Sequence, residues 1–199
     1  MPRNHHPSLL PSLCAALMFV LAAFLGSSRL HAQDTKPAVE EPQYIGEFAS
    51  IGPDGKLVAL EKEKVTYEAK SHNHFVSVSV TSDQVVPNAK SPVRVASAAH
   101  FVVHVNPGSD AIDPSTYLSL RPFVVKKDSR TIPMNTAKAG AFQGVKSTSA
   151  ADTSIAVSFK KYGVSSLEIV PSQPLPPGEY VLAANGGGTG VYCFGVDAP

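Results

Sequence analysis

The sequence contains no tryptophan, two cysteines and a small charged fraction, 17% of its 199 residues. Because 43% of the residues are hydrophobic, the composition excludes an intrinsically disordered chain and a coiled coil. The formal net charge of +1 produces no strong field of either sign, so nucleic acid is not an expected partner. What remains is one globular domain, rich in turn residues, with 17 prolines and 14 glycines.

No apolar run is long enough to cross a bilayer, and the longest one lies near the N-terminus. Residues 14–25 form an apolar run of 12 residues, which suits the core of a signal peptide. Basic Arg3 and Arg29 flank the run without any acidic residue, and Ala32 offers a small side chain at a cleavage position. We therefore expect residues 1–32 to be a signal peptide in preference to a short membrane anchor. The mature chain would have no transmembrane span and would be exported, to the periplasm or the extracellular space.

The mature chain is expected to be an all-β domain. Residues 33–42 are polar and predict a disordered lead-in, and residues 43–199 form a single domain of short apolar runs separated by Pro- and Gly-rich turns. About ten short strands with almost no helix predict a two-layer β-sandwich of immunoglobulin-like type. The predicted strands cover residues 44–51, 56–61, 64–70, 74–80, 93–97, 100–106, 116–126, 130–134, 154–159, 164–170, 179–184 and 190–196.

Two segments between the predicted strands are rich in small residues. Residues 135–153 are rich in Gly, Ala and Ser, and we expect them to form the longest and most mobile loop. Residues 185–190 carry four glycines, but a strand follows them, whereas a phosphate-binding loop requires a helix there. The Asn185-Gly186 pair instead predicts the turn of a closing hairpin.

Four histidines are the candidate metal ligands. His72 and His74 enter one predicted strand, while His100 and His104 share another, and residues two or four apart in a strand lie on the same face. Imidazoles on neighbouring strands could bind Zn²⁺ or Cu²⁺. The alternative places Phe101, Val103 and Val105 in the core, which leaves the histidines solvated. We favour that alternative and expect no cofactor.

Three further features have a plain structural interpretation. Cys193 has no cationic neighbour in sequence, so a small buried hydrophobe is favoured over a nucleophile. Asp110 and Asp113 predict a turn before the next strand in preference to a calcium loop. The charged residues 126–130 predict a solvated hairpin tip in preference to an anion site.

Three stretches of the chain form a recognisable order. They are residues 45–61 (IGEF…DGKLVALE), 91–104 (SPVRV…FVVH) and 174–197 (PLPPGEY…YCFGVD). Together they resemble a group of uncharacterised secreted single-domain β proteins of environmental bacteria. The resemblance covers most of the mature chain and implies export and a β fold, without an activity, cofactor or site residue.

No G-x-S-x-G, H-E-x-x-H, phosphate-loop or C-x-x-C motif occurs in the mature chain, which lowers the expectation of an enzyme without excluding one. The leading prediction is an exported, non-catalytic module that binds a protein or a cell-envelope component. One alternative is a periplasmic metal-binding protein that uses His72, His74, His100 and His104. The other is a hydrolase whose site is built from loops such as residues 135–153.

Overall fold

The computed structural model describes residues 39–106, 108, 111–140, 144–184 and 190–199. The predicted signal peptide and the first part of the lead-in lie outside these ranges. The described residues form fifteen strands and a short 3₁₀ turn at Pro114–Thr116, so the prediction of an all-β domain is confirmed. Within the same ranges, no helix is long and apolar enough to cross a membrane.

Five antiparallel strands form the first sheet. Their order is β12 (Val157–Tyr162), β13 (Ser166–Pro171), β7 (Phe101–His104), β1 (Phe48–Ile51) and β2 (Leu57–Ala59). β1 and β2 pair as a hairpin, and Gly55 adopts a φ of +77° in the turn between them.

The second sheet is built around the last strand described. Its order is β3 (Glu61–Lys64), β15 (Gly190–Val196), β14 (Gly178–Ala184) and β8 (Leu118–Pro122), and β6 (Arg94–Val95) pairs parallel with β15. The predicted closing hairpin of β14 and β15 is confirmed in its strands, while its loop lies outside the described residues.

The main core lies between the first and second sheets. Phe101 and Ile169 of the first sheet are buried against Leu182 and Phe194 of the second, and the rings of Phe101 and Phe194 lie 4.6 Å apart. The predicted core face of β7 is confirmed, since Phe101, Val103 and Val105 all belong to this cluster. Burial of each large apolar side chain contributes about 2 kcal/mol, so this interface supplies most of the stability of the sandwich.

The third sheet corrects the prediction of a long mobile loop. Its order is β11 (Gly144–Ser149), β10 (Ser129–Gly140), β5 (Ser77–Pro87) and β4 (Thr66–His74), with β9 (Val124–Val125) beside β10. Residues 135–140 and 144–149, predicted as loop, pair with each other as a hairpin. The sequence did not predict this strand because its side chains are small. Ala137 and Ala139 alternate with polar residues at period two, but alanine gives only a weak hydrophobic signal.

A second core joins this sheet to the other face of the second sheet. Val86 and Ile132 at its base pack with Val181, Val191 and Cys193. Strands β14 and β15 are therefore covered on both faces, which explains their continuous apolar sequences. The sequence predicted two layers and about ten strands. The structure has three layers of sheet and fifteen strands in its described residues.

Arg130 anchors the base of the third sheet, contrary to the prediction of a solvated tip. Lys127 and Asp128 are exposed, but Arg130 has no exposed surface. Its Nη1 donates to Glu61 Oε2 at 2.8 Å, while its Nε and Nη2 donate to the carbonyl oxygens of Asn88 and Pro87 at 3.1 and 3.2 Å. Because each of these acceptors pairs with the guanidinium, the buried charge is compensated.

Beyond this base the third sheet extends into solvent on both faces. Val145 is 78% exposed and Phe75, between β4 and β5, is fully exposed. We call this extended part, the described residues of 66–84 and 134–149, the wing.

Candidate functional site

The two faces of the wing differ in charge, and the strand register shows how. Residues directly opposite each other in antiparallel strands share a face. One row across all four strands contains His72, Ser79, Lys138 and Lys146, in that order. A second row on the same face contains Lys70, Thr81, Thr136 and Thr148. We call this the cationic face.

Among the described residues, the opposite face of the wing carries no charged side chain. Its rows are Asn73, Val78, Ala139 and Val145, then Ser71, Val80, Ala137 and Ser147, then Ala69, Ser82, Asn135 and Ser149. Toward the base this face continues into Val86, which is buried in the second core. Only the base of this face packs against the second sheet, while the wing beyond it is exposed on both faces.

A cleft of about 590 Å³ lies on the cationic face. His72, Lys138 and Lys146 line it together with the hydroxyl-bearing residues Ser77, Ser79, Thr136 and Thr148 and with Val78 and Ala139. Gly140 and Gly144 oppose each other in the row nearest the tip, and their missing side chains leave open space there. No carboxylate is among the lining residues that the structure describes.

Lys138 and Lys146 lie directly opposite each other on neighbouring strands. Like charges in this position destabilise a sheet by a few tenths of a kcal/mol to about 1 kcal/mol. Among the described residues, neither ammonium group has an ion-pair partner. The pair therefore leaves two neighbouring positive charges available to an anion.

The acidic residues of the same face lie nearer the base and are already paired. Glu68 lies 3.5 Å from the Lys70 ammonium, and Asp83 lies 3.0 Å from that of Lys126. The uncompensated positive charge is thus concentrated in the outer half of the wing, where the cleft lies.

The four predicted metal ligands lie in two separate sheets. His72 lines the cleft and His74 ends β4, both in the third sheet, whereas His104 ends β7 in the first sheet and His100 immediately precedes that strand. Because the second sheet lies between them, the structure does not bring the two pairs together. In the described part of the chain, no group of three or more His, Cys, Asp or Glu residues could hold a metal ion.

The histidines of the first sheet have other partners. His100 Nδ1 lies 2.7 Å from Glu168 Oε1, and His104 Nδ1 donates to the carbonyl oxygen of Pro42 at 2.6 Å. Both are partly buried, so they are less solvated than the sequence predicts.

Glu41 holds the end of the predicted lead-in against the same sheet. Its carboxylate accepts hydrogen bonds from the backbone N–H groups of Val164 and Ser165 and from the Ser166 hydroxyl, at 2.7–2.9 Å. Partial burial raises its pKa, but these hydrogen bonds and nearby His104 outweigh burial and lower the pKa below 4.5. Residues 41 and 42 are therefore bound in place, although the sequence predicts them to be disordered.

Cys193 and Asp113 have the structural roles that the sequence indicates. The Cys193 thiol is fully buried, and burial raises its pKa to about 12 despite the charge of Arg130. It is therefore protonated at neutral pH and unsuited to nucleophilic attack. Asp113 accepts from the Ser115 N–H and caps the 3₁₀ turn before β8, while Asp110 lies outside the described residues.

Known proteins offer no significant match to this chain. No protein-family model matches the chain, and no curated protein or solved structure is significantly similar to it.

Sequence reasoning missed Lys138 and Lys146 because it placed both in a loop. The available signal was the alternation of Thr136 and Lys138 with Ala137 and Ala139.

Proposed function

We propose that the protein is an exported, non-catalytic binding module with an immunoglobulin-like sandwich as its body. The wing is its binding element, and the ligand is an acidic polysaccharide of the cell envelope. The observation that carries this proposal is the pair of opposed, uncompensated lysines, Lys138 and Lys146, above a cleft lined by hydroxyl groups. An anion placed between the two ammonium groups would relieve their repulsion and gain two charge-assisted hydrogen bonds.

The other groups of the cleft favour a sugar polymer. Ser and Thr hydroxyls both donate and accept hydrogen bonds, as sugar hydroxyls require, and four of them line the cleft. Single-stranded nucleic acid is bound mainly by aromatic side chains on which its bases stack. No phenylalanine, tyrosine or tryptophan lies among the described lining residues. Carboxylate or sulfate groups of a polysaccharide would pair with the lysines, and the sugar hydroxyls with Ser79, Thr136 and Thr148.

The affinity for one short oligosaccharide should be modest and sensitive to salt. The lysine side chains lie at an exposed surface, where each ion pair contributes at most about 1 kcal/mol. Salt at physiological concentration screens such charges over about 8 Å.

Calorimetric titration of the protein with an oligogalacturonate at low salt tests the proposal. We expect saturable binding that weakens as salt is added, and at least a tenfold loss of affinity in the variant Lys138→Ala/Lys146→Ala. The matched control is Lys160→Ala/Lys161→Ala, which removes two exposed lysines of β12 in the first sheet and should bind as the parent does.

Two outcomes would contradict the proposal. One is equal binding by the wing variant and the parent, which would place the site elsewhere. The other is equal affinity for a neutral dextran, or stronger binding of oligo(dT), which would show that the cleft does not select an acidic sugar polymer.

A further inference from the structure

Strand β4 forms an exposed edge of the wing. It extends over Thr66–His74 and pairs with β5 through nine consecutive residues without a bulge. Among the described strands, no other one pairs with it. An edge strand presents unpaired N–H and C=O groups, and natural proteins protect such edges with bulges, prolines, short strands or charged side chains. β4 has neither a proline nor a bulge, so its charged side chains, Glu68 and Lys70, decide which strand can pair with this edge.

The charges of β4 are arranged so that the strand is complementary to itself. Glu68 and Lys70 are two residues apart on the cationic face and about half exposed. Antiparallel pairing of β4 with a second copy, centred on Ala69, places Glu68 of each copy opposite Lys70 of the other. Two cross-strand ion pairs result, and Tyr67 lies opposite Ser71 on the uncharged face.

The neighbouring registers are unfavourable. Pairing centred on Glu68 places this glutamate opposite its own copy, and pairing centred on Lys70 does the same with the lysine. Like charges directly opposite each other destabilise a sheet, so charge selects the register centred on Ala69.

We propose that two copies of the chain associate edge to edge through β4, which joins their wings into one continuous sheet of eight strands. The occupant of this edge is a second copy of the chain because the charge pattern is complementary to itself about one residue. The two-fold axis is perpendicular to the sheet, so the cationic faces of both copies lie on the same side. This proposal does not depend on the identity of any ligand.

The interface is small, so the association should be reversible and depend on concentration. It consists of backbone pairing over residues 66–72 of each copy and the two ion pairs. Interfaces of this size are at the low end of stable complexes, and we expect a dissociation constant in the micromolar range.

Sedimentation velocity of the protein from low micromolar to submillimolar concentration tests the proposal, with no polysaccharide present. We expect a monomer–dimer equilibrium in the parent. Glu68→Lys and Lys70→Glu should each weaken the dimer at least tenfold, because each variant brings like charges together twice. The double variant Glu68→Lys/Lys70→Glu should restore the dimer, since both ion pairs re-form with their signs exchanged.

A mixture of the two single variants gives an independent readout. When Glu68→Lys is mixed with Lys70→Glu, each lysine faces a glutamate of the other chain, so the mixture should dimerise although neither variant does so alone. Asp54→Lys is the matched control. It also reverses an exposed carboxylate within an ion pair, that with Lys56, but it lies in the turn between β1 and β2 and should leave the dimer unchanged.

Three results would overturn the proposal. They are a parent chain that is monomeric at every concentration, a dimer that survives Glu68→Lys, and a failure of both the double variant and the mixture to dimerise. Circular dichroism and thermal unfolding of each variant would show that a loss of dimer is not a loss of folding. Failure of the oligogalacturonate titration would leave these outcomes unaffected, so the two proposals are tested separately.

Discussion

The Arg130 guanidinium and the Glu61 carboxylate form an ion pair of 2.8 Å at a point where the arginine has no exposed surface. Arg130 belongs to β10 and Glu61 to β3, so the pair joins the base of the wing to the second sheet. Glu179 of β14 lies 3.7 Å from the same guanidinium. The wing is thus attached to the sandwich by a buried charge as well as by the apolar second core.

Replacing Arg130 should destabilise the protein strongly. Arg130→Met removes the guanidinium donor from the Glu61 carboxylate and from two backbone carbonyl groups, and the loss of one partner of a buried pair costs about 3–5 kcal/mol. Urea unfolding measures this loss. The control is Arg121→Met. The Arg121 guanidinium lies 3.8 Å from the carboxylate of the exposed Asp152, so this substitution should lower the free energy of unfolding by less than about 1 kcal/mol. Equal effects of the two variants would argue against an anchoring role for Arg130.

Gly195 should not tolerate a side chain, because the Arg94 guanidinium lies directly over it. A Cβ at Gly195 would overlap that guanidinium, which is paired with Glu179 and Asp197. We expect Gly195→Ala to reduce the free energy of unfolding by about 1–3 kcal/mol. Gly190→Ala in the same strand meets Lys62 at an ordinary 3.7 Å and should cost little.

A double-mutant cycle separates this overlap from a backbone effect. In an Arg94→Ala background the obstacle is gone, so Gly195→Ala should lose most of its destabilising effect. An unchanged effect in that background would show that Arg94 is not the cause.

The Cys193 thiol should be inert in the folded protein. It is fully buried, and burial raises its pKa to about 12, so little thiolate exists at neutral pH. Reaction with a chromogenic disulfide reagent should therefore proceed only as the protein unfolds, and its rate should rise with urea as the unfolded fraction rises. Rapid modification under native conditions would contradict the buried position.

Glu41 should give the protein a stability that is lost in acid. Its pKa in the folded state is below the ordinary 4.5, so folding favours the ionised carboxylate. This contribution is fully present above the unfolded pKa and disappears as the pH falls through the folded value. At neutral pH, Glu41→Gln should lower the free energy of unfolding by about 1 kcal/mol, since the site is only partly buried. The difference from the parent should shrink in acid, as urea unfolding near neutral pH and in acid would show. A difference independent of pH would contradict this account.

The sequence predicts the sandwich well and the wing poorly, for a physical reason. Strands such as β7, β14 and β15 contain the large apolar residues that bury into a core, and their positions follow from that pattern. The wing buries little, so Ala137, Ala139 and the Ser and Thr residues around them carry no hydrophobic signal. Their strand structure depends on pairing with β5, a long-range contact that local pattern does not reveal.

The same distinction applies to the candidate site. Histidine spacing left a metal site open as the less favoured alternative, but whether two strands are neighbours depends on topology, and here the second sheet separates them. Arg130 was predicted to be exposed because its neighbours in sequence are charged, whereas its carbonyl and carboxylate partners come from residues 61, 87 and 88.

The central position of β15 has a consequence for the order in which the protein can be assembled. β3, β14 and β6 all pair with β15, which is synthesised after every one of them. β3 can therefore pair only after residues 190–193 have been synthesised. Pairing between residues so far apart in sequence makes folding slow. A nascent chain without β15 lacks the central strand of the sheet on which both other sheets pack. Until then its apolar strands stay accessible to chaperones and proteases, and a prematurely terminated chain should be degraded rather than accumulate.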